Sequence, residues 1–176
     1  MKQCPQTKDT NVFQHGLQVW SYYRKLIDGK IEGMKIPLWF SDNKEEILSS
    51  IHDRFIIKQY AIFHDIGKTR CIEYDESGRR HFPNHAVISK EMWQEQPNAN
   101  SISGFLIGLD MIFHIESAEQ ILLRNLDRRT LYTLMLAALA ELHANANMFG
   151  GITSESFCIK YKKLSSRAKK ILSSVQ

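Results

Sequence analysis

Apolar residues recur at helical spacing over much of the chain. From residue 11 to about residue 28 they return every three or four positions, which predicts an amphipathic helix. A second helix is predicted to begin at Ser41 or Asp42, because either is a good N-cap and two glutamates follow in the first turn. We expect this helix to run to about His64, with Gly67 as the residue that prevents it from continuing.

In the middle of the chain, predicted loops alternate with short predicted strands and a short predicted helix. Residues 28–40 contain two glycines and Pro37, which predicts a loop. The segment TRCIEYDESGRRHF has two β-rich runs around an Asp-Glu-Ser-Gly turn, which predicts a small β-hairpin or an ordered loop. A short helix is expected over 86–94, and residues 94–104 form a predicted linker.

The apolar segments after the linker predict further helices. The run FLIGLDMIFHIESAEQILLRN is apolar enough for a helix, on which Asp110 and His114, four residues apart, would share a face. Residues 127–147, rich in Leu and Ala, predict a last long helix. Several helices against one hairpin indicate an all-α fold, a single-domain helical bundle over residues 1–176.

Composition places the chain among soluble globular proteins. It has 176 residues, of which 43% are hydrophobic and 24% are charged. No apolar run approaches the roughly 20 residues that span a bilayer, and no signal-peptide core is present, so we expect a cytoplasmic protein without a membrane partner. Three cysteines, far apart and odd in number, are expected to be free thiols.

The net charge of +4 is modest, but basic residues are concentrated near the C-terminal end of the sequence. The run KYKKLSSRAKK lies within residues 152–176, which we interpret as a basic C-terminal extension. Such a run is typical of a solvated helix face, and the alternative is an electrostatic contact with phosphates or RNA.

Several polar residues lie within apolar stripes, where an unpaired polar group would be costly. His15 belongs to the first predicted helix, His64 and Asp65 to the end of the second, and Asp110 and Glu141 or His143 to later helices. Imidazole and carboxylate groups converging from several helices are typical of a divalent metal site.

Four motifs carry a resemblance to a known family. They are FQHGLQVW around His15, AIFHDIGK, HFPNHAVISKEMW and LMLAALAELHANA. Together they resemble the HD superfamily of metal-dependent phosphohydrolases over about residues 12–147. The second and third, joined by the hairpin, are most similar to the HD domain of bacterial CCA-adding tRNA nucleotidyltransferases. We expect no nucleotidyltransferase head domain within these residues, so the resemblance concerns a hydrolytic module.

The resemblance implies the residues of a site. The metal ligands that it implies are His15, His64, Asp65, His85 and Asp110, with Glu141 or His143 in place of the family's closing aspartate, which is absent. His114 competes with Asp110 for one position. Lys68 corresponds to the family lysine whose ammonium faces a substrate phosphate. Asp65 and Lys68 are the implied catalytic residues.

A second His-Asp pair, His52-Asp53, lies twelve residues upstream of His64-Asp65. It falls inside the predicted second helix, and no glycine or lysine follows it as in HDIGK. We interpret it as structural or exposed. The alternative for His64-Asp65 is a helix C-terminus at which the imidazole meets backbone carbonyls.

These residues imply phosphoester hydrolysis assisted by one or two divalent ions, with Mn, Ni, Co, Fe, Mg and Zn all compatible. The expected partners are phosphorylated small molecules or RNA ends: nucleotides, cyclic nucleotides, or cyclic and terminal phosphates of RNA. Two alternatives stay open. One is a nucleoside mono- or triphosphate phosphohydrolase, and the other is a catalytically degenerate module that binds nucleotides or RNA.

Overall fold

A computed structural model describes residues 1–6 and 10–175 of the chain. The structure is mostly α-helical with one two-stranded sheet, so the predicted all-α fold class is confirmed. The helices are α1 Val12–Asp28, α2 Leu38–Asp42, α3 Lys44–Ser50, α4 Arg54–Phe63, α5 His85–Gln94, α6 Ser101–Gly108, α7 Ile112–Ile115, α8 Ala118–Leu123, α9 Arg128–Ala144 and α10 Glu155–Val175. Two 3-10 helices span Ile66–Thr69 and Ala146–Phe149.

Backbone contacts group the chain into two compact units. The first unit comprises Met1–Gln18 and Arg54–Asp110, and the second comprises Val19–Asp53 and Met111–Gln176. The predicted number of domains, one over residues 1–176, stays a prediction.

In the first unit, α5 packs against the 3-10 helix that follows α4, and α6 packs against both α4 and α5. The buried side chains Ile57, Trp93 and Leu106 come from these three α-helices, each from its apolar stripe. This packing fixes the end of α4 and the beginning of α5 side by side.

The predicted hairpin is confirmed. Strands β1, Glu73–Tyr74, and β2, Arg80–His81, are antiparallel, and Glu73 is opposite His81. Asp75 organises the turn, because its Oδ1 accepts hydrogen bonds from the backbone N–H groups of Ser77 and Arg79, at 2.9 Å each.

In the second unit, α9 is buried along most of its length and α10 packs against it. Asp127 caps α9 by accepting a hydrogen bond from the backbone N–H of Thr130, at 2.9 Å. The segment interpreted as a basic extension is largely α10, a helix of 21 residues. Its apolar face is part of the core of this unit, through Phe157, Leu164, Ala168, Ile171 and Leu172.

The prediction of one helix from residue 41 to residue 64 was wrong. Three helices, α2, α3 and α4, cover this region, and the chain is extended at Ile51, where ψ is 164°. Helix α2 begins within the predicted loop, at Leu38, because Pro37 has an extended backbone suited to an N-cap. Gly67 does not end the helix, since α4 stops at Phe63 and Gly67 lies in the 3-10 helix.

The prediction of a continuous helix after the linker was also wrong. The linker ends at Asn100, which caps α6, and the apolar run is divided into α6, α7 and α8. Asp110 lies in the turn after α6, so it shares no helix with His114. Ser117 and Gln120 form a capping box that begins α8 and thereby separates it from α7.

Among residues 1–6 and 10–175, no helix combines the length and the apolar character needed to cross a membrane.

Candidate metal centre

Gly16 allows the beginning of α1 to lie directly against the end of α4. A Cβ atom at this position would be 2.3 Å from the backbone oxygen of Ile62, so no other residue fits without moving the backbone. The contact brings His15 beside His64, with ring centroids 5.4 Å apart in an edge-to-face arrangement. Both histidines are almost completely buried.

Gly67 has the same role for α5. A Cβ atom on Gly67 would lie 2.5 Å from the backbone oxygen of His85 and 2.5 Å from the backbone nitrogen of Ser89. The Gly67 N–H donates a hydrogen bond to Ser89 Oγ, at 2.8 Å. The first turn of α5 is therefore held against the residues that follow Asp65.

The Asp65 carboxylate is the centre of the cluster. The Nε2 atoms of His64 and His15 lie 3.4 and 3.8 Å from Asp65 Oδ2, and His85 Nε2 lies 3.5 Å from Oδ1. Two ligand atoms at about 2.1 Å from a tetrahedral ion would themselves be about 3.4 Å apart. The separation of His64 Nε2 and Asp65 Oδ2 matches this value, whereas His85 faces the other oxygen of the carboxylate.

Backbone carbonyls orient two of the three imidazoles. His64 Nδ1 lies 2.9 Å from the carbonyl oxygen of Ala61, and His85 Nδ1 lies 3.0 Å from that of Phe82. A carbonyl oxygen only accepts hydrogen bonds, so each Nδ1 carries the proton. In the neutral ring Nε2 then keeps its lone pair, which is the arrangement found in most metal-binding histidines.

Asp110 joins the same cluster from the turn after α6. One ligand atom from each of His64, Asp65 and Asp110 can be chosen so that all three lie within 4.8 Å of one another. The hydroxyl of Tyr60 donates a hydrogen bond to Asp110 Oδ1, at 2.7 Å, and so orients this carboxylate. These buried His and Asp groups could hold a metal ion.

Lys68 is buried and pairs with the central carboxylate, its Nζ 2.6 Å from Asp65 Oδ2. Burial alone raises the pKa of the Asp65 carboxyl, but His64 and Lys68 beside it outweigh burial, and its pKa lies below the usual range. Asp65 is therefore a carboxylate at neutral pH. Lys68 Nζ also donates to Gln6 Oε1, at 3.3 Å.

Two residues that take part in this geometry were not identified from the sequence. Tyr60 precedes His64 by four residues, and this helical spacing is the signal that could have identified it. No local sequence pattern identifies Ser89, because its role is to accept a hydrogen bond from Gly67, which lies 22 residues away in the sequence.

The structure places the two candidates for the closing ligand in the second unit. Glu141 Oε2 is 2.7 Å from His114 Nε2. His143 is buried between the rings of Tyr22 and Phe157, and its Nε2 is 3.1 Å from the carbonyl oxygen of Lys35. Burial lowers the pKa of His143, and the hydrogen bond to the carbonyl opposes this only in part.

His52 and Asp53 lie in the link between α3 and α4, not in the middle of a helix. The backbone N–H of His52 donates to Thr133 Oγ1, at 3.0 Å, and the His52 ring nitrogen Nε2 is 3.4 Å from Thr130 Oγ1. These contacts tie the link to α9, which is a structural role.

Neither models of known protein families nor curated proteins nor solved structures gave a match to this chain. The resemblance to the HD superfamily stays a prediction.

Proposed function

We propose that the chain is an HD-type metal-dependent phosphohydrolase or phosphodiesterase, acting on nucleotides, cyclic nucleotides or RNA phosphate ends. One observation carries the proposal. Three imidazole Nε2 atoms, from His15, His64 and His85, lie 3.4 to 3.8 Å from one buried carboxylate, Asp65.

The chemistry of the donor set fits a divalent transition metal. Imidazole nitrogen with carboxylate oxygen suits Mn, Fe, Co, Ni and Zn, whereas Mg prefers oxygen alone. His64, Asp65 and Asp110 would hold the first ion, and His15 and His85 stand on the two sides of Asp65. A count of one or two ions is compatible with five such groups.

A divalent ion at this site supplies Lewis acidity toward water and toward the oxygens of a phosphoryl group. The residues of the chain supply orientation and charge. Asp65, ionised and buried, can orient the attacking water, and Tyr60 fixes Asp110. The ammonium of Lys68, whose Nζ lies 2.6 Å from Asp65 Oδ2, would stabilise negative charge that develops on a phosphate.

The contacts inside the second unit favour Glu141 over His143 as the replacement for the family's closing aspartate. His143 Nε2 faces the Lys35 carbonyl oxygen, and the ring is held between two aromatic side chains. The Glu141 carboxylate has side-chain partners, His114 and Asn145, and side chains rearrange more readily than backbone.

The test combines metal binding with a substrate panel. We would measure bound metal in the purified protein, then assay mono- and diester phosphates with added Mn²⁺, Ni²⁺ or Mg²⁺, for the parent, Asp65→Asn and Asp53→Asn. Asp53→Asn is the matched control, because it makes the same change at the other His-Asp pair. We expect Asp65→Asn to lose metal and hydrolysis while Asp53→Asn keeps both.

Release of inorganic phosphate alone, without diester cleavage, would favour the nucleoside mono- or triphosphate phosphohydrolase. A parent protein that binds none of these metals and hydrolyses nothing when they are supplied would refute the enzyme and leave the binding module. Activity that survives Asp65→Asn unchanged would refute the proposed site.

A further inference from the structure

The solvent-facing side of α10 is strongly basic. The residues Lys162, Lys163, Ser166, Lys169 and Lys170 are all exposed, and at 100° per residue they project from one side of the helix. We call these five residues the α10 basic face. The opposite side of α10 is buried in the core of its unit.

Most of this charge is not compensated within the unit. Among the residues that the structure describes, Lys162, Lys163 and Lys169 form no ion pair, and Lys170 pairs with Glu119. Glu155, at the beginning of α10, is the only acidic residue in the helix. Like charges on one helix face repel each other, which an anionic partner would relieve.

An aromatic ring borders the basic face. Tyr161, half-buried, directly precedes Lys162, and its ring stacks on Phe157 with centroids 6.2 Å apart. The ammonium of Lys35 lies 4.9 Å from the centroid of the Tyr161 ring. Phe157, which is fully buried, therefore covers one face of the Tyr161 ring, and the Lys35 ammonium lies over the ring as well.

We infer that the α10 basic face binds single-stranded RNA, with its lysines on the phosphates and a base stacked on Tyr161 in the place that the Lys35 ammonium now occupies. Cations along a helix beside an aromatic ring are the two elements of single-strand recognition, and stacking requires an unpaired base. Ser166, between the two pairs of lysines, offers a hydroxyl group to a ribose 2′-OH. A membrane surface is the poorer partner, because the apolar face of α10 is buried and cannot insert.

This inference goes beyond the proposed function and does not depend on the metal centre, so it is tested with EDTA present. Binding of a labelled RNA of about 12 nucleotides is measured by fluorescence anisotropy between about 50 and 200 mM salt. The test variant is Lys162→Gln/Lys163→Gln/Lys169→Gln. The matched control replaces three exposed lysines elsewhere, Lys30, Lys44 and Lys58, so that both variants fall from +4 by three charges to +1.

Each lost phosphate contact makes the slope of log K against log[salt] less negative by about 0.7 for a single strand. We therefore expect the test variant to reduce the slope by about 2 and to weaken binding about 100-fold at 0.1 M salt. The control variant should keep the parent slope. Equal losses in the two variants would overturn the inference, because only overall charge would then matter.

Three further measurements make the assignment specific. Lys162→Arg/Lys163→Arg/Lys169→Arg should retain binding, and Tyr161→Leu should weaken RNA binding about tenfold without changing the salt slope. DNA of the same sequence should bind more weakly than RNA. A parent protein that binds anionic vesicles but no RNA, or that binds RNA and DNA equally, would refute single-stranded RNA as the partner.

Discussion

The pairs His64-Asp65 and His52-Asp53 have the same two residues and very different surroundings. His64 and Asp65 are 2% and 1% exposed, whereas His52 is half-buried and Asp53 is exposed. Around Asp65 the chain assembles two further histidines and a lysine. Around His52 it assembles two threonine hydroxyls.

The difference comes from backbone contacts and not from the dipeptide. Gly16 allows α1 to lie directly against the end of α4, because it has no Cβ atom. Gly67 likewise allows the first turn of α5 to lie against the 3-10 helix that follows α4. Neither glycine has a counterpart beside His52-Asp53. A buried charge is tolerated at Asp65 because the Lys68 ammonium and three imidazoles lie beside it.

The largest expected difference between the two pairs is in metal affinity. His64→Gln removes a predicted ligand whose ring is oriented by Ala61, so affinity for Mn²⁺ should fall by more than about 100-fold. His52→Gln should leave the affinity within about twofold. Isothermal titration of both variants measures this, and equal affinities would remove the distinction between the pairs.

The next largest expected effect is on the free energy of unfolding, and it concerns Gly67, which follows His64-Asp65 and has no counterpart after His52-Asp53. Gly67→Ala would place a methyl group 2.5 Å from the backbone of α5, so we expect the free energy of unfolding to fall by about 2 to 4 kcal/mol. Gly108→Ala is the control. Its Cβ would meet the flexible end of the Lys90 side chain, at 2.8 Å, and the expected change is at most about 1 kcal/mol.

Urea unfolding followed by circular dichroism measures both glycine variants. If Gly67→Ala were no more destabilising than Gly108→Ala, the close approach of α5 would not be what holds His85 near Asp65.

A smaller effect is expected at the hydroxyl that orients Asp110. Tyr60→Phe removes the 2.7 Å hydrogen bond to Asp110, which should weaken metal binding by about tenfold and destabilise the fold by about 1 kcal/mol. Tyr23→Phe removes a buried hydrogen bond to the Thr133 carbonyl oxygen in the second unit. It should cost similar stability and leave metal affinity unchanged. A loss of affinity in both variants would indicate a general effect of stability.

The smallest expected effect is on the pH dependence of the free energy of unfolding, and it concerns His52. Burial lowers the pKa of His52, with Asp127 opposing and Arg129 adding to the shift. A lowered pKa in the folded state means that His52 contributes stability above the unfolded pKa of about 6.5, and that this contribution is lost as the pH falls. The free energy of unfolding of the parent should therefore decline more between about pH 7 and pH 5 than that of His52→Gln. Parallel pH dependences would contradict this.

Local patterns predicted the helices that begin and end at strong signals. The spacing of apolar residues predicted α1, a short helix was expected where α5 lies, and the Asp-Glu-Ser-Gly turn predicted the hairpin. The breaks inside the two long apolar runs were missed, although the capping box at Ser117 was visible in the sequence. The contribution of α10 to the core was not predicted. Its lysines indicated a solvated face, although apolar residues recur at helical spacing on the other side of the same helix.

The candidate site was predicted in part. HDIGK identified His64, Asp65 and Lys68, and the structure brings His15, His85 and Asp110 to the same carboxylate or its neighbours. The interpretation of Asp110 and His114 as helix neighbours failed because periodicity describes a helix only where one exists. The closing ligand, Glu141 or His143, stays a prediction.

By itself the sequence determined the residue types, the amphipathic helices and the one His-Asp pair followed by glycine and lysine. These properties are local, because side-chain spacing and capping act within a few residues along the chain. Only the tertiary structure decided which nitrogen atoms face Asp65, since His15 and His85 reach it across 50 and 20 residues. These distances depend on close backbone contacts at Gly16 and Gly67. A local sequence pattern does not identify the distant segment that each glycine contacts.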